Sequence, residues 1–279
     1  MMYSNNYPRA SSARQVLASV CLGVLLASKL TAQNTVITEL AIKANQGVAV
    51  DEGYIYAISN TSIEKCDKQS GEVVAAWQAD KKIAAEKHFK HLNSGAVIVG
   101  KLYCAHSRFP VAINDCSVEI FDIKGETLKH VETIPMPAKH GSLTWIDRRD
   151  DGTWWMCYAV YGKKNNSKTK LIQYSYQDGK FIEQASYNFP AEVVSKWGSA
   201  SCSGGSWGPD ALLYTTGHDH TQAHVLHVDA EGKLNYRKTE KNTGFYGQGI
   251  AWDRFAKTPV LWGIVKNRKV SATQLAARN

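Results

Sequence analysis

Five segments of the chain share one pattern, in which a glycine near the start leads into a short apolar strand that ends in a turn rich in Asp, Gly or Pro. The first and last copies, Gln-Gly-Val-Ala-Val-Asp at 46–51 and Gln-Gly-Ile-Ala-Trp-Asp at 248–253, are the most alike. The other three copies begin at Ser94, His140 and Ser203. Repeats of about 45 residues are typical of chains built from small repeated sheets. This five-fold similarity constrains the fold more than any other feature.

Each copy is a predicted inner strand, A, and two more strands, B and C, follow it. In four copies a Gly-centred turn that fits a tight hairpin then leads into a fourth strand, D. The fifth copy ends after strand C, and residues 36–42 can supply its missing D strand. Such closure removes open sheet edges. The sequence therefore predicts an all-β fold, a five-bladed β-propeller closed by the N-terminal strand of the mature chain. An all-β sandwich would not require the repeats.

The first 32 residues are predicted to be a secretory signal peptide. Arg9 and Arg14 precede a short apolar stretch over residues 16–27, which is too short for a comfortable membrane span. We therefore expect residues 33–279 to form a single propeller domain in the periplasm or outside the cell. The alternative is an uncleaved N-terminal anchor.

The charge of the chain is mildly basic and gives little information about partners. The whole chain carries +8, and the first 32 residues hold three basic residues and no acid, so the remainder carries +5. No Lys/Arg-rich tract of the kind that follows a nucleic-acid backbone is present. We expect no nucleic-acid partner and no membrane contact once the signal peptide is removed. The oligomeric state stays open.

Cysteine usage leaves the disulfide pattern open. An odd number of cysteines in an exported chain leaves at least one thiol free or intermolecular. Cys104 and Cys116 flank one predicted hairpin loop and are a candidate pair. The five cysteines of the mature chain are Cys66, Cys104, Cys116, Cys157 and Cys202.

The predicted topology divides the connections into two sets with different chemistry. Because consecutive strands alternate in direction, the D-to-A and B-to-C connections share one face of the propeller. The A-to-B and C-to-D turns share the other face, and they are short and rich in acids, as solvated turns usually are. The first set is longer and rich in His, Lys and Arg residues. Long loops on a rigid scaffold are where function tends to lie.

Four histidines are expected to gather at one mouth of the central channel. His91 and His140 precede A strands, and His106 and His218 end B strands. Converging imidazoles can bind a divalent metal or act as general acid and base, although a single loop histidine usually only hydrogen-bonds locally. The identity of the metal (Mn, Fe, Zn or Ca) stays open. The predicted metal ligands are His91, His106, His140, His218 and Gln248.

Basic and aromatic residues in the same loops favour a small anionic or carbohydrate-like ligand. Lysine and arginine would attract a carboxylate, and aromatic rings can stack on a sugar, although large aromatics more often belong to the core. The predicted catalytic residues are His88, Lys90 and Tyr246. The predicted substrate-binding residues are Arg108, Trp207 and Lys266.

The segments at 88–95, 141–148, 203–210 and 247–254 resemble a family of bacterial secreted propeller proteins that carry loose labels such as "cycloisomerase". The resemblance covers nearly all of the mature chain and implies the propeller fold, without a settled mechanism. The histidines predict a divalent-metal-dependent lyase, isomerase or lactonase-type hydrolase for a small anionic or sugar-derived substrate. The alternatives are a non-catalytic propeller that binds a glycan or a protein, and an enzyme that uses histidine without metal.

Overall fold

The computed structural model describes residues 1–2, 33–265 and 269–276. In these ranges the chain forms twenty β-strands, arranged as five antiparallel sheets of four strands each. The prediction of an all-β, five-bladed propeller is confirmed. Most of the predicted signal peptide, at residues 3–32, lies outside the described residues, as does Lys266.

Each sheet is one blade, and its strands follow one another along the chain. Strand β1 (Thr35–Leu40) comes first and belongs to the last blade. Blade 1 contains β2 (Gly47–Val50), β3 (Tyr54–Ser59), β4 (Ser62–Asp67) and β5 (Val73–Gln78). Blade 2 contains β6 (His91–Ile98), β7 (Lys101–Arg108), β8 (Ala112–Asp122) and β9 (Lys129–Met136). Blade 3 contains β10 (Ser142–Arg148), β11 (Trp154–Ala159), β12 (Lys170–Gln177) and β13 (Lys180–Asn188). Blade 4 contains β14 (Gly204–Trp207), β15 (Leu213–Thr216), β16 (Gln222–Val228) and β17 (Leu234–Lys241). Blade 5 contains β18 (Ile250–Trp252), β19 (Val260–Val265), β20 (Lys269–Gln274) and β1.

Helical structure is confined to the connections. Two 3₁₀ turns lie at Ala84–Glu86 and Asn166–Lys168, and a one-turn helix, α1, spans Ala191–Val194. Among the described residues, no helix has the length and apolar character needed to cross a membrane.

The ring is closed by strand β1, as the sequence predicts. It pairs antiparallel with β20, from Thr35 opposite Gln274 to Leu40 opposite Val270. The pairing is irregular between Val36 and Thr38. The outer strand of the last blade therefore comes from the opposite end of the domain, which ties the two ends together and removes an open edge.

Burial falls from the channel outwards, because each inner strand is covered by the neighbouring blades. Strands β2 and β14 are buried along their whole length, whereas β13 alternates between exposed and half-buried residues. The core lies between blades. Trp155 of blade 3 and Trp207 of blade 4, for example, pack with ring centroids 5.0 Å apart. Burial of each such side chain stabilises the fold by about 1.5–3 kcal/mol.

The glycines of the repeats let the inner strands approach one another at the axis. A Cβ on Gly249 would lie 2.7 Å from the Cα of Gly47 and 2.6 Å from the Oγ of Ser94. A Cβ on Gly205 would collide with the ring of Trp145. A side chain at these positions would push the inner strands apart, so the repeated glycine is a requirement of the narrow channel.

At the face of the A-to-B turns, an ion pair joins blades 3 and 5; its carboxylate is buried, whereas the side chain of Arg254 is 30% exposed. Asp147 of blade 3 accepts hydrogen bonds from Arg254 of blade 5 (2.9 Å) and from the Oγ of Ser206 (3.0 Å). Ser206 is the serine of a Gly-x-Ser-x-Gly sequence at 204–208. It lies inside strand β14 and is 3% exposed, so it is not the exposed serine of a hydrolase nucleophile elbow. This network ties three blades together.

The candidate pairing of Cys104 with Cys116 is wrong, because the two residues lie in different cores. Cys104 packs with Ile58 between blades 1 and 2, and Cys116 packs with Leu143 between blades 2 and 3. In the pairing of β7 with β8, Cys104 lies opposite Glu119 and Cys116 opposite Ser107.

Candidate functional site at the channel mouth

A cavity of about 300 Å³ opens at the channel mouth, on the face of the D-to-A and B-to-C connections. Each blade contributes a residue at or near the start of its inner strand, and the B-to-C and D-to-A loops add the rest. The inner-strand residues are Gln46, His91, Asn93, Thr144, Ser203 and Gln248, and the loop residues are Phe109, Tyr161, Ser199, Ala200 and His218.

His91 lies at the start of β6, where the chain enters blade 2. Its ring packs against Phe109, with ring centroids 5.4 Å apart. Burial lowers the pKa of His91 because the charged imidazolium would lose its hydration. At neutral pH this imidazole is therefore neutral, the form that accepts a proton or binds a metal.

His218 follows β15 and is oriented by a carboxylate. Its Nδ1 lies 2.8 Å from the Oδ1 of Asp219, so Nδ1 carries a proton and Nε2 stays available as an acceptor. Gly247, at φ +64°, packs against the backbone of this histidine, and a Cβ there would collide with the carbonyl oxygen of His218. The glycine therefore permits the close approach that brings His218 to the mouth.

Gln248 has a positive φ of 62°, which is unfavourable for a residue with a side chain. Its backbone is held in this conformation from both sides. The amide N–H donates to the carbonyl of Gly217 (3.1 Å), and its carbonyl accepts from the hydroxyl of Thr216 (2.5 Å). Such strain persists only where surrounding contacts impose it, and it is common at binding sites.

Aromatic rings form one wall of the cavity. Phe109 contacts Tyr161 edge-on, with ring centroids 5.0 Å apart. Burial raises the pKa of Tyr161, although a hydrogen bond with Ser142 acts in the opposite direction. The phenol is therefore neutral at physiological pH and offers an aromatic edge beside its hydroxyl.

The rest of the lining consists of uncharged polar groups. Asn93 is buried and donates its Nδ2 to the carbonyl of Leu143 (2.7 Å), which fixes the amide at the cavity. Gln46, Thr144 and Ser203 add amide and hydroxyl groups. In the described part of the chain, no Asp, Glu, Lys or Arg lines this cavity. The cavity can therefore form many hydrogen bonds with an uncharged ligand, but its described residues offer a charged ligand no carboxylate, ammonium or guanidinium partner.

The structure brings only two of the four predicted histidines to this cavity. His91 and His218 line it with Gln248, whereas His106 lies inside blade 2 and is 1% exposed. His140 lies 3.1 Å from the carboxylate of Glu183, on the outer strand β13. Successive side chains of β7 point to opposite faces of the sheet, and this alternation turns His106 into the core, where it lies opposite Leu92.

His106 belongs to a buried cluster around Glu119 of β8. The carboxylate has no exposed surface and lies 2.9 Å from the Nε2 of His88 and 2.8 Å from the Nε2 of His130. It also accepts hydrogen bonds from the hydroxyls of Ser117 (2.5 Å) and Thr133 (2.7 Å). Burial alone would raise the pKa of Glu119, but the hydrogen bonds outweigh it, so the pKa lies well below its usual range. The hydrogen bond to Glu119 raises the pKa of His88.

The spacing of His88, His106 and Glu119 could hold a metal ion, since their ligand atoms lie within 4.8 Å of one another. The hydrogen bonds oppose this use. The backbone N–H of Lys90 donates to the Nε2 of His106 (3.2 Å), so the proton of neutral His106 is on Nδ1, which contacts Ser117 (2.9 Å). A metal bound to Nδ1 would move the ring proton to Nε2. The N–H at Nε2 would then face the backbone N–H of Lys90. The cluster is better explained as a buried ion-pair network that anchors the segment before His91.

The other predicted site residues lie around the mouth or in the core. Lys90 is exposed beside His91, and Arg108 pairs with Asp115 (3.0 Å). Trp207 is 2% exposed in the core, and Tyr246 donates its backbone N–H to Ile264 (2.7 Å). None of these residues, nor His88, lines the cavity within the described part of the chain.

Several residues that line the cavity were not predicted from the sequence: Asn93, Phe109, Thr144, Tyr161 and Ser203. A signal for them exists in the repeats. Asn93, Thr144 and Ser203 lie near the starts of A strands, and Phe109 and Tyr161 follow B strands as His218 does. Superposition of the five copies, position by position, would have selected these columns even though their residue types differ.

No protein-family model matches the sequence, and no curated protein sequence matches it. Solved structures similar to this chain include the PQQ-bound aldose sugar dehydrogenase of Streptomyces coelicolor, at 15% identity over 88% of this chain and 84% of that chain, with a TM-score of 0.46. Another is virginiamycin B lyase from Staphylococcus aureus, at 14% identity over 86% and 74%, with a TM-score of 0.43. A luciferin-regenerating enzyme matches at 8% identity over 85% and 92%, with a TM-score of 0.47. Similarities of this size do not bear on the activity or the ligand of this chain.

Proposed function

We propose that the channel-mouth cavity is the active site of an enzyme that acts on a small sugar-derived molecule, and that His91 and His218 transfer protons there. One observation carries this proposal. All five blades converge on one cavity that holds a neutral, partly buried imidazole and a second imidazole oriented by a carboxylate. The predicted signal peptide would place the enzyme in the periplasm or outside the cell.

The lining favours a hydroxyl-rich ring as the ligand. A volume of about 300 Å³ lies at the small end of the range for ligand pockets. The amides of Gln46, Asn93 and Gln248 can both donate and accept hydrogen bonds, as sugar hydroxyls do. The ring of Phe109 offers an apolar surface on which one face of a sugar can pack.

The two histidines support general acid–base catalysis. Neutral His91 can take a proton from the substrate or from a water molecule. His218 keeps Nδ1 on Asp219 and so exchanges protons through Nε2. Lyase, isomerase and lactonase chemistry all require such a proton transfer, which makes this step the common core of the proposal.

The donor groups of these residues also suit a divalent metal. His91, His218 and Gln248 would hold it, because both imidazoles can present a neutral nitrogen, and a carboxylate on the second ring nitrogen, as on His218, is typical of metal-bound histidine. When bound, the metal would supply Lewis-acid activation of a carbonyl or of water. All three donors are neutral, so the ion would keep its full charge for that purpose.

Turnover and metal content of matched variants test the proposal. The protein is purified without chelator, its metals are measured by elemental analysis, and sugar lactones and uronates are screened as substrates. We expect turnover that falls at least about a hundredfold in His91→Ala and in His218→Ala. His140→Ala is the control, since its imidazole pairs with Glu183 away from the cavity.

The outcomes separate the alternatives. Metal that is lost in the two cavity variants and retained in the control supports the metal site. Turnover without metal leaves a metal-free acid–base enzyme. Saturable sugar binding that depends on Phe109, with no turnover of any substrate, would contradict the enzyme and favour the non-catalytic glycan-binding propeller. Absence of both binding and turnover would refute the assignment of this cavity.

A further inference from the structure

A second cavity lies beside the channel mouth on the same face of the propeller. It is an open groove of about 840 Å³, formed by the B-to-C loops of blades 3 and 4 and by the connection that contains helix α1. The residues that matter for its chemistry are Lys163, Asn166, Lys196, Gly198, His220 and Gln222.

The groove and the channel-mouth cavity share the loops that form their walls. Tyr161 lines the cavity and Lys163 the groove, and in the same way His218 lines the cavity and His220 the groove. Residues two positions apart in an extended chain are at most about 7 Å apart. The two spaces are therefore close enough for one molecule to occupy both.

Hydrogen bonds hold this shared wall together. The N–H of Gly162 donates to the carbonyl of Ser199 (2.7 Å), and the Nδ2 of Asn166 donates to the carbonyl of Gly198 (2.8 Å). Asn166 is 8% exposed, so its side chain is part of the built wall and not a mobile surface group. The wall between the two spaces is therefore a hydrogen-bonded part of the fold.

The charge of the groove is positive and uncompensated. Within the described residues, no Asp or Glu lines it, and neither Lys163 nor Lys196 takes part in an ion pair. Lys139, by contrast, pairs with Glu183 at 2.7 Å. Burial, together with the positive charge of Lys196, lowers the pKa of the neighbouring His224. Lysines without acid partners beside a ligand cavity attract anions.

We propose that the groove binds the acidic remainder of the substrate, so that the substrate is a carboxylate-bearing oligosaccharide whose reacting ring fills the cavity. This inference rests on the proposed function of the cavity and specifies its substrate class. Lys163 and Lys196 provide the charge, and the amide of Gln222 provides a neutral partner for sugar hydroxyls. The uncharged cavity and the basic groove divide the recognition of one ligand between them.

Calorimetric binding of two probes tests this division. The neutral probe is galactose, which tests the cavity, and the acidic probe is trigalacturonate, which spans both spaces. We expect the acidic probe to bind at least about tenfold more tightly, with an advantage that shrinks between low and high salt. Lys163→Ala/Lys196→Ala should lose about tenfold in affinity for the acidic probe and should bind galactose as the native protein does.

The control removes the same charge from the opposite face. Lys101→Ala/Lys180→Ala changes two lysines at an A-to-B and a C-to-D turn, and should leave both affinities unchanged. The groove assignment is overturned if the acidic probe binds no more tightly than galactose, or if the control loses as much affinity as the groove variant. If neither probe binds, the function proposed for the cavity itself fails. Galactose binding without an acidic advantage refutes the groove alone.

Discussion

Replacement of Glu119 by alanine removes the acceptor on which a buried network depends. In the native protein its two oxygens face two imidazoles and two hydroxyls. The hydroxyls of Ser117 and Thr133 can rotate towards other acceptors. The rings of His88 and His130 cannot move away freely, because both pack against Phe89.

The expected cost follows from the burial of the pair. Removal of one partner of a buried ion pair typically costs about 3–5 kcal/mol, because the other partner is left without compensation. The side chain of His88 is 28% exposed and can recover part of its hydration, whereas His130 is 11% exposed. We therefore expect Glu119→Ala to lower the free energy of unfolding by about 3–4 kcal/mol. For a domain of this size that corresponds to a fall of roughly 6–16 °C in Tm.

Urea denaturation followed by tryptophan fluorescence measures this loss, with Glu183→Ala as the matched control. Glu183 also contacts a histidine, His140, and a lysine, Lys139, but its side chain is 28% exposed. Solvent screens that pair, so the control should lose only about 0–1 kcal/mol. Glu119→Gln keeps one acceptor oxygen and should fall between the two.

Two results would refute the reasoning. If Glu119→Ala loses no more stability than Glu183→Ala, the buried network does not stabilise the native state. If a chelator lowers the Tm of the native protein and Glu119→Ala abolishes that effect, then His88, His106 and Glu119 hold a metal, and the assignment of the proton of His106 to Nδ1 is wrong.

Three further predictions concern acid stability and the geometry of the mouth. Burial lowers the pKa of His224 to about 4, so only the unfolded chain binds its proton between about pH 6.5 and that value. This contribution to the free energy of unfolding is therefore fully present above about pH 6.5 and is lost, by about 3 kcal/mol, as the pH falls to 4. In urea denaturation measured across this pH range, His224→Gln should lack this part of the pH dependence. Gly247→Ala should weaken sugar binding at least about tenfold in calorimetry, because its Cβ would displace His218, whereas Gly179→Ala, with the same sign of φ and open space around it, should cost only about 1–2 kcal/mol of stability and no affinity. Asp219→Asn should reduce kcat about tenfold, as the orienting partner of His218 is weakened, and a loss confined to KM would contradict that role.

The repeated glycine pattern was sufficient to predict the architecture. A glycine is needed where the starts of neighbouring inner strands meet at the axis, as Gly47 and Gly249 show. The alternation of strand direction then assigns every loop to one of two faces, whatever its sequence. The glycine recurs at the same place in each repeat and the alternation follows from the order of the strands, so both can be recognised in the sequence before any side-chain contact is known.

The choice among the histidines was made only by the tertiary structure. His91 and His106 lie on paired strands of one blade, yet the register places His106 opposite Leu92 and turns it into the core beside Glu119. His140 is held by Glu183, a residue 43 positions away in sequence. A side chain at the end of a strand can point to either face of the sheet. Which face it takes depends on a contact with a residue of another strand. Sequence by itself therefore determined the fold and the face on which the candidate site lies, and long-range pairing decided which imidazoles line the cavity.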